Sequence, residues 1–149
     1  MKQIISKIFT AIIFSGILVS CKKGSSGINI SGNTKLLTQQ EWKISKEEEK
    51  VNSDPYIDHF PTVPACTRDD KYGFRTDGTY ELNEGATKCN ASDPQVIYNG
   101  TWQFTQNETK IKIDGNESTI EQLDNTTFII SGSYISVPDT NYYRITFVH

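Results

Sequence analysis

The sequence has no large excess of charge of either sign. Its 149 residues include 15 Lys and Arg against 18 Asp and Glu, which gives a formal net charge of -3. A nucleic-acid-binding protein usually shows a basic patch, and the chain has none. The charge pattern therefore predicts no nucleic-acid partner.

Histidine and helical periodicity are both scarce. The only histidines are His59 and His149, and neither lies near a Cys, Ser or Asp pattern that resembles a catalytic triad. No stretch after Cys21 repeats its apolar residues with a helical period, apart from a single turn expected within residues 35–41. These absences argue against a nucleophilic enzyme and against a helical domain.

Carboxylates are frequent, but they match no known site. Asp69 with Asp70, or Glu81 with Glu84, would make a hydrolase with surface carboxylates an alternative function. Such residues are more often solvated strand ends and turns. The metal-ligating side chains around the longest loop fit no calcium-loop spacing; they are Asp54, Asp58, His59, Asp69 and Asp70. We predict no catalytic residue, no metal site and no cofactor.

What the chain does have is a distinct N-terminal segment. Lys2 and Lys7 accompany an almost unbroken apolar run over residues 8–19, which ends at Ser20 and Cys21. A charged start, a short apolar core and a small residue at the cleavage point are typical of a secretory signal peptide. The run is too short for a comfortable transmembrane helix. Residues 1–20 are therefore predicted to be a signal peptide, with an uncleaved anchor as the alternative.

The end of this segment resembles the lipobox of bacterial lipoproteins. Residues 18–21, Leu-Val-Ser-Cys, place an aliphatic residue and two small or β-branched residues before a cysteine. The resemblance implies lipidation of Cys21 and anchoring of the mature chain to a membrane of the cell envelope. We expect attachment to the outer membrane, on either its periplasmic or its surface side. Residues 21–35, which are rich in Gly and Ser, predict a flexible tether before a domain at 36–149.

After the tether, short segments of alternating apolar and polar residues predict an all-β domain. The eight candidate strands centre on residues 42–45, 71–75, 79–83, 98–105, 111–113, 120, 128–134 and 143–147. Tight turns between them favour an eight-stranded up-and-down antiparallel β-barrel, with a β-sandwich as the alternative. Residues 46–50 are interpreted as a solvated strand end or edge, and residues 51–68, with three prolines, as one long loop.

The two remaining cysteines, Cys66 and Cys89, flank a predicted hairpin. An exported chain meets an oxidising compartment, which favours a disulfide between them; two free thiols are the alternative. If the aromatic residues of the hairpin all face inward, Phe74 pairs with Tyr80. That register requires a three-residue turn with Gly78 in the left-handed conformation.

Several of these segments together resemble the lipocalin-like domain of small lipoproteins from Gram-negative bacteria. Trp42 opens the first strand, residues 72–80 form a strand–turn–strand, and residues 100–104 and 110–113 follow. Classical lipocalins carry Gly-x-Trp at the first strand, whereas Gln40 stands at the glycine position here. The resemblance implies an eight-stranded barrel and carries over no catalytic residue.

Aromatic side chains are the candidate ligand-binding residues. They are Tyr72, Phe74, Tyr80, Tyr98, Trp102, Phe104, Phe128 and Tyr143, with Tyr134 as a further inward aromatic. We predict a non-enzymatic binding or interaction module that meets a protein partner or a small apolar ligand. A carrier would need an open cavity. A surface interaction module would have a filled core, and the density of large inward residues favours the filled core.

Overall fold

The computed structural model describes residues 30–149. The predicted signal peptide, the lipidation site at Cys21 and the first part of the tether, residues 21–29, lie outside the described residues. Neither of the helices in the described part is long and apolar enough to cross a membrane.

The described chain is an all-β domain, as the sequence predicts, and it is preceded by one short helix where only a single turn within residues 35–41 was expected. The helix α1 spans Gly32–Thr38, and a 3-10 helix spans Phe60–Thr62. The strands are β1 (Lys43–Val51), β2 (Ile57–Asp58), β3 (Lys71–Phe74), β4 (Thr79–Asn83), β5 (Val96–Thr105), β6 (Lys110–Ile113), β7 (Asn116–Leu123), β8 (Thr127–Ser136) and β9 (Asp139–Val148).

All nine strands form one antiparallel sheet in the order β2-β1-β9-β8-β7-β6-β5-β4-β3. The eight longer strands follow the predicted up-and-down path, and β2 is an additional two-residue strand. Among the described residues, one isolated bridge between Trp42 and Tyr72 joins the β1 side of the sheet to β3. The sheet curls until its ends meet at that point, but the ladder does not close along its length.

The ninth strand corrects two expectations. Residues 51–68 are not one unstructured loop, because they contain β2 and the 3-10 helix. Residues 46–50 are not a free edge: they pair with β9 on one side, and Glu48 and Glu49 pair with β2 on the other. The two-residue β2 covers the edge of β1 where a longer exposed strand would invite wrong pairing.

The helix α1 begins within the segment predicted to be a tether. The Ser31 hydroxyl accepts a hydrogen bond from the Thr34 amide at 3.0 Å, which is a standard N-terminal cap. Leu37 of this helix is fully buried, and its carbonyl accepts a bond from the Trp42 indole at 2.9 Å. The ordered domain therefore begins before residue 36.

The β3–β4 hairpin has the predicted register. Phe74 lies opposite Tyr80, and Tyr72 opposite Leu82. The three-residue turn ends at Gly78, whose φ of +83° is the left-handed conformation that glycine adopts without strain.

The predicted disulfide between Cys66 and Cys89 is confirmed. It joins the segment before β3 to the long connection after β4. Asp69 reinforces this junction, because its carboxylate accepts hydrogen bonds from the amides of Ala86 and Thr87 at 2.7 and 3.0 Å. The covalent link and these bonds hold two irregular segments against each other.

The packed core lies at the end of the sheet that α1 covers. Its buried members are Leu37, Trp42, Phe74, Tyr80, Trp102, Ile111, Phe128, Ile130 and Phe147. Phe128 stacks on Phe147 with ring centroids 5.2 Å apart, and Phe74 meets Trp102 edge to face at 5.9 Å. The predicted filled core is therefore present in this half of the domain.

Truncation of Trp102 should be strongly destabilising. The indole is buried and donates hydrogen bonds to the carbonyls of Arg75 and Thr79, both at 3.0 Å, so it ties the β3–β4 turn to β5. We expect Trp102→Ala to lower the free energy of unfolding by about 3–5 kcal/mol in denaturant titrations. Ile135→Ala, at an exposed position, should change it by less than about 0.5 kcal/mol. Equal effects of the two substitutions would contradict this packing.

Candidate functional site

The inner face of the sheet surrounds an open-mouthed cavity of about 770 Å³. It lies at the end opposite α1, where the β6–β7 and β8–β9 turns are found. Its apolar wall comprises Ile44, Ile113, Ile130, Ile145 and Phe147. A volume of several hundred Å³ with apolar side chains and a few polar groups in its wall is in the range of small-molecule sites. The filled core predicted from the sequence thus occupies only one half of the interior.

A β-bulge in β1 decides which charged side chains face this cavity. The pairing of β1 with β9 shifts between Ile44 and Lys46, so that Glu47 lies opposite Ile145 and Glu49 opposite Tyr143. An extra residue in one strand reverses which side chains face inward beyond that point. Glu47 and Glu49 accordingly line the cavity.

The outward residues of the same strand find their partners on the outer surface. Glu48 accepts two hydrogen bonds from the Arg144 guanidinium, both at 2.9 Å. This pairing lowers the pKa of Glu48 below its ordinary value, since the hydrogen bonds favour the ionised form. The Lys50 ammonium lies 5.0 Å from the ring centroids of Tyr56 and Tyr142. The bulge thereby places Lys50 and the paired Glu48 outside and the carboxylates of Glu47 and Glu49 inside.

Tyr80 and Asp114 form a hydrogen-bonded pair in the cavity wall. The Tyr80 hydroxyl donates to Asp114 at 2.6 Å, and the same carboxylate accepts the Thr101 amide at 3.0 Å. Burial, followed by the bond to Asp114, raises the pKa of Tyr80. A β-carbon at Gly100 would overlap the Tyr80 ring, so glycine makes room for this pair.

Tyr143 is held by a second pair across the cavity. Its hydroxyl lies 2.8 Å from the hydroxyl of Ser118, which is buried on β7. A β-carbon at Gly132, the residue opposite on β8, would overlap the Tyr143 ring. Both tyrosine rings therefore lie flat over glycines and line the wall without filling the cavity.

The remaining cavity tyrosines lie close to the two inward glutamates. The Tyr134 hydroxyl donates to Glu49 at 2.7 Å, and this bond raises the pKa of Tyr134. Glu47 and Tyr72 both line the cavity, and the pKa of Tyr72 is raised mainly by burial and next by the negative charge of Glu47. The cavity lining thus combines carboxylates with phenol rings.

The structure separates the predicted ligand-binding aromatics into three groups. Tyr72, Tyr80 and Tyr143 line the cavity, as does Tyr134. Phe74, Trp102 and Phe128 belong to the packed core, and Phe104 packs against it. Tyr98 is exposed and touches the site only indirectly, through its contact with the Tyr80 ring at 6.1 Å.

The polar part of the site was not predicted from the sequence. Strict alternation from Trp42 would place Lys46, Glu48 and Lys50 on the inner face. The bulge shifts this alternation by one residue. No Gly, Pro, Asn or Asp in residues 42–51 indicates its position in the sequence. Asp114 lies in the turn between β6 and β7, and its bond to Tyr80 depends on pairing between strands that are distant in the chain.

The carboxylates considered for hydrolysis have structural partners. Asp69 caps residues 86 and 87, and its pKa is lowered chiefly by the hydrogen bond from Thr87. Glu81 binds Arg75 at 2.7 Å. Asp70 is buried beside Glu84, and burial raises its pKa. Within residues 30–149, no three His, Cys, Asp or Glu side chains come together to hold a metal ion.

The two histidines of the chain also lie apart. His149 packs on the Trp42 ring, with centroids 3.8 Å apart, at the α1 end. The His59 amide donates to the Glu47 carbonyl at 2.8 Å. The two imidazoles therefore share no site.

A curled antiparallel sheet with an open-mouthed, ligand-sized cavity on its inner face is typical of a class of small-molecule-binding β proteins. A family model described as a lipocalin-like domain matches residues 39–130, from just before Trp42 into β8. The chain belongs to this lipocalin-like family. No curated protein matches it.

Loss of the Tyr80 hydroxyl should weaken the domain in a pH-dependent way. Tyr80→Phe removes a hydrogen bond to a carboxylate, and we expect a loss of about 2 kcal/mol in unfolding free energy at pH 8. As the pH rises above 10.0, the ordinary pKa of tyrosine, Tyr80 ionises in the unfolded chain while the folded chain still retains the proton. The stability contributed by Tyr80 is therefore lost with rising pH. The difference in unfolding free energy between the parent and Tyr80→Phe should become smaller.

Denaturant titrations at pH 8 and pH 11 measure this difference. Tyr142→Phe is the matched control, because Tyr142 is partly exposed on the outer face. It should alter stability by less than about 0.5 kcal/mol at pH 8. A Tyr80→Phe effect no larger than that of the control would show that the bond to Asp114 is not formed.

Proposed function

We propose that this protein binds a small, mainly apolar molecule in the cavity at the open end of its sheet and acts without catalysis as an envelope lipoprotein. The observation that carries the binding function is the cavity of about 770 Å³ between an apolar wall and a polar mouth. Family membership supports it, since a lipocalin-like domain suggests binding of small hydrophobic ligands.

The surface around the mouth supports entry of an apolar molecule. Most exposed large apolar residues lie on strand ends and turns at the open end: Val51, Ile57, Val96, Ile97, Tyr98, Tyr134, Ile135 and Val137. Exposed apolar residues that cluster at one place mark an interaction or ligand-binding surface. Their position beside the cavity favours a role in ligand capture.

The wall is held open by hydrogen bonds that do not require a ligand. The pairs Tyr80–Asp114 and Tyr143–Ser118 fix two rings against backbone glycines. A pre-formed pocket avoids the entropic cost of ordering its wall during binding. Binding with little rearrangement is therefore the behaviour that this geometry favours.

A cavity-filling substitution tests the binding function. We expect the full chain carrying Cys21→Ser, which has no lipid at this position, to bind the uncharged apolar dye N-phenyl-1-naphthylamine with saturable fluorescence enhancement. Ile145→Trp, added in the cavity wall, should weaken that binding at least about tenfold by occupying ligand volume.

The control adds a similar ring outside the cavity. Tyr142→Trp, on the outer face of the same strand, should leave the dye affinity unchanged. Circular dichroism establishes that both variants keep the fold. Equal binding by the parent and a folded Ile145→Trp variant would place the dye elsewhere and contradict the proposal.

Membrane attachment through Cys21 is the second part of the proposed function. It is supported by the charged and apolar segment that precedes Cys21 and by the short distance along the chain from that cysteine to α1. The tether would leave the domain at the α1 end, away from the open mouth. This arrangement leaves the mouth accessible while the chain is anchored.

Replacement of the proposed lipidation site tests the anchor. Cys21→Ser should move the protein from the membrane fraction to the soluble fraction, because the tether has little apolar surface to bind a bilayer. Ser25→Ala, a control in the tether, should stay with the membranes. Retention of the Cys21→Ser variant on membranes after a high-salt wash would rule out this attachment.

A further inference from the structure

The cavity has a marked charge asymmetry. Its lining includes the side chains of Glu47, Glu49 and Asp114 but no Lys, Arg or His from the described part of the chain. Glu117 also borders the cavity, but its carboxylate binds Lys110 on the outer face at 3.0 Å. The interior electrostatic potential is therefore negative, and a low-dielectric wall strengthens it.

The three inward carboxylates differ in how well they are satisfied. Asp114 accepts two hydrogen bonds, from Tyr80 and Thr101. Glu49 accepts one, from the Tyr134 hydroxyl. The Glu47 carboxylate accepts none from residues 30–149. Glu47 and Glu49 thus keep most of their acceptor capacity for a group that enters the cavity.

Aromatic rings surround these two carboxylates. Glu49 lies directly across the β1–β9 pair from Tyr143 and is bonded to Tyr134. Glu47 lines the same cavity as Tyr72 and Tyr143, and its negative charge contributes to the raised pKa of Tyr72. The faces of phenol rings attract cations, and carboxylates add a full opposite charge. Together they form an environment suited to an ammonium or a similar organic cation.

The apolar wall lies deeper than the charged positions. Ile130 and Phe147 belong to the buried core, whereas Glu49 and Tyr134 lie nearer the mouth, with Tyr134 half exposed. An amphipathic molecule would therefore enter with its apolar part toward the core and its charge toward the glutamates. A fatty-acid carboxylate in the same orientation would meet like charges.

We propose that the ligand is an apolar molecule with one organic cationic group, which is held between Glu47 and Glu49 beside the tyrosine rings. The cavity provides the volume that the apolar part of the ligand occupies, and the two carboxylates favour a ligand with a positive charge. The proposal depends on the function proposed above, because it requires that the cavity bind an apolar molecule at all.

Three probes of equal chain length separate charge from apolar binding. Octylammonium, octanol and octanoate are titrated into the full chain carrying Cys21→Ser, and isothermal titration calorimetry measures each affinity. We expect octylammonium to bind about tenfold more tightly than octanol, and octanoate more weakly than either. In the double variant Glu47→Gln/Glu49→Gln, octylammonium should fall to the affinity of octanol, while octanol is unchanged.

The matched control removes two charges elsewhere. Glu41→Gln/Glu121→Gln removes the same total charge from two exposed glutamates that lie outside the cavity lining. This control variant should still bind octylammonium more tightly than octanol. If octanoate equals octylammonium, or if the preference survives the Glu47/Glu49 change, the cationic assignment is overturned and the apolar site remains. If none of the three probes binds, the proposed binding function itself fails.

Discussion

The contacts of Trp42 determine how the sheet closes on itself. Its backbone exchanges hydrogen bonds with Tyr72 at 2.9 and 2.7 Å, and this is the described point where the two ends of the sheet meet. Its indole bonds to the carbonyl of Leu37, and its ring packs on Phe128 and His149. One side chain therefore holds together the helix, the first strand and the C-terminal residue. These contacts join the two ends of the curled sheet at the α1 end.

A single inserted residue in β1 then determines the chemistry of the interior. Before the bulge, Trp42 and Ile44 face inward and belong to the packed region. After it, Glu47 and Glu49 face inward, and Glu48 pairs with Arg144 outside. The same strand thus contributes both core and polar lining. Without the bulge, Lys46, Glu48 and Lys50 would point into the cavity, and together with Asp114 they would leave it without a net negative charge.

Sequence patterns predicted the parts of the fold that depend on local rules. Alternation located seven of the eight longer strands, whereas β7 was predicted only from Ile120. The register of the aromatic hairpin required Gly78 in the left-handed conformation. β2 could not be predicted, because two residues carry no alternation and their pairing with Glu48 and Glu49 is set by tertiary contacts. The cavity was not predicted either, since the density of large inward residues favoured a filled interior. Only the packing shows that Phe74, Trp102 and Phe128 fill one half while Tyr80 and Tyr143 line the other.

The division of the interior follows from the kinds of aromatic residue in each half. Phenylalanine and tryptophan pack at the α1 end, where their area can be fully buried. Tyrosines line the open end, where each hydroxyl needs a hydrogen-bond partner that also fixes the ring in place. Asp114, Ser118 and Glu49 supply those partners for Tyr80, Tyr143 and Tyr134. Because the rings are held at the wall by these bonds, they do not collapse into the centre, and the cavity persists without a ligand. The residues that keep the cavity open are thus largely the ones that give it polarity.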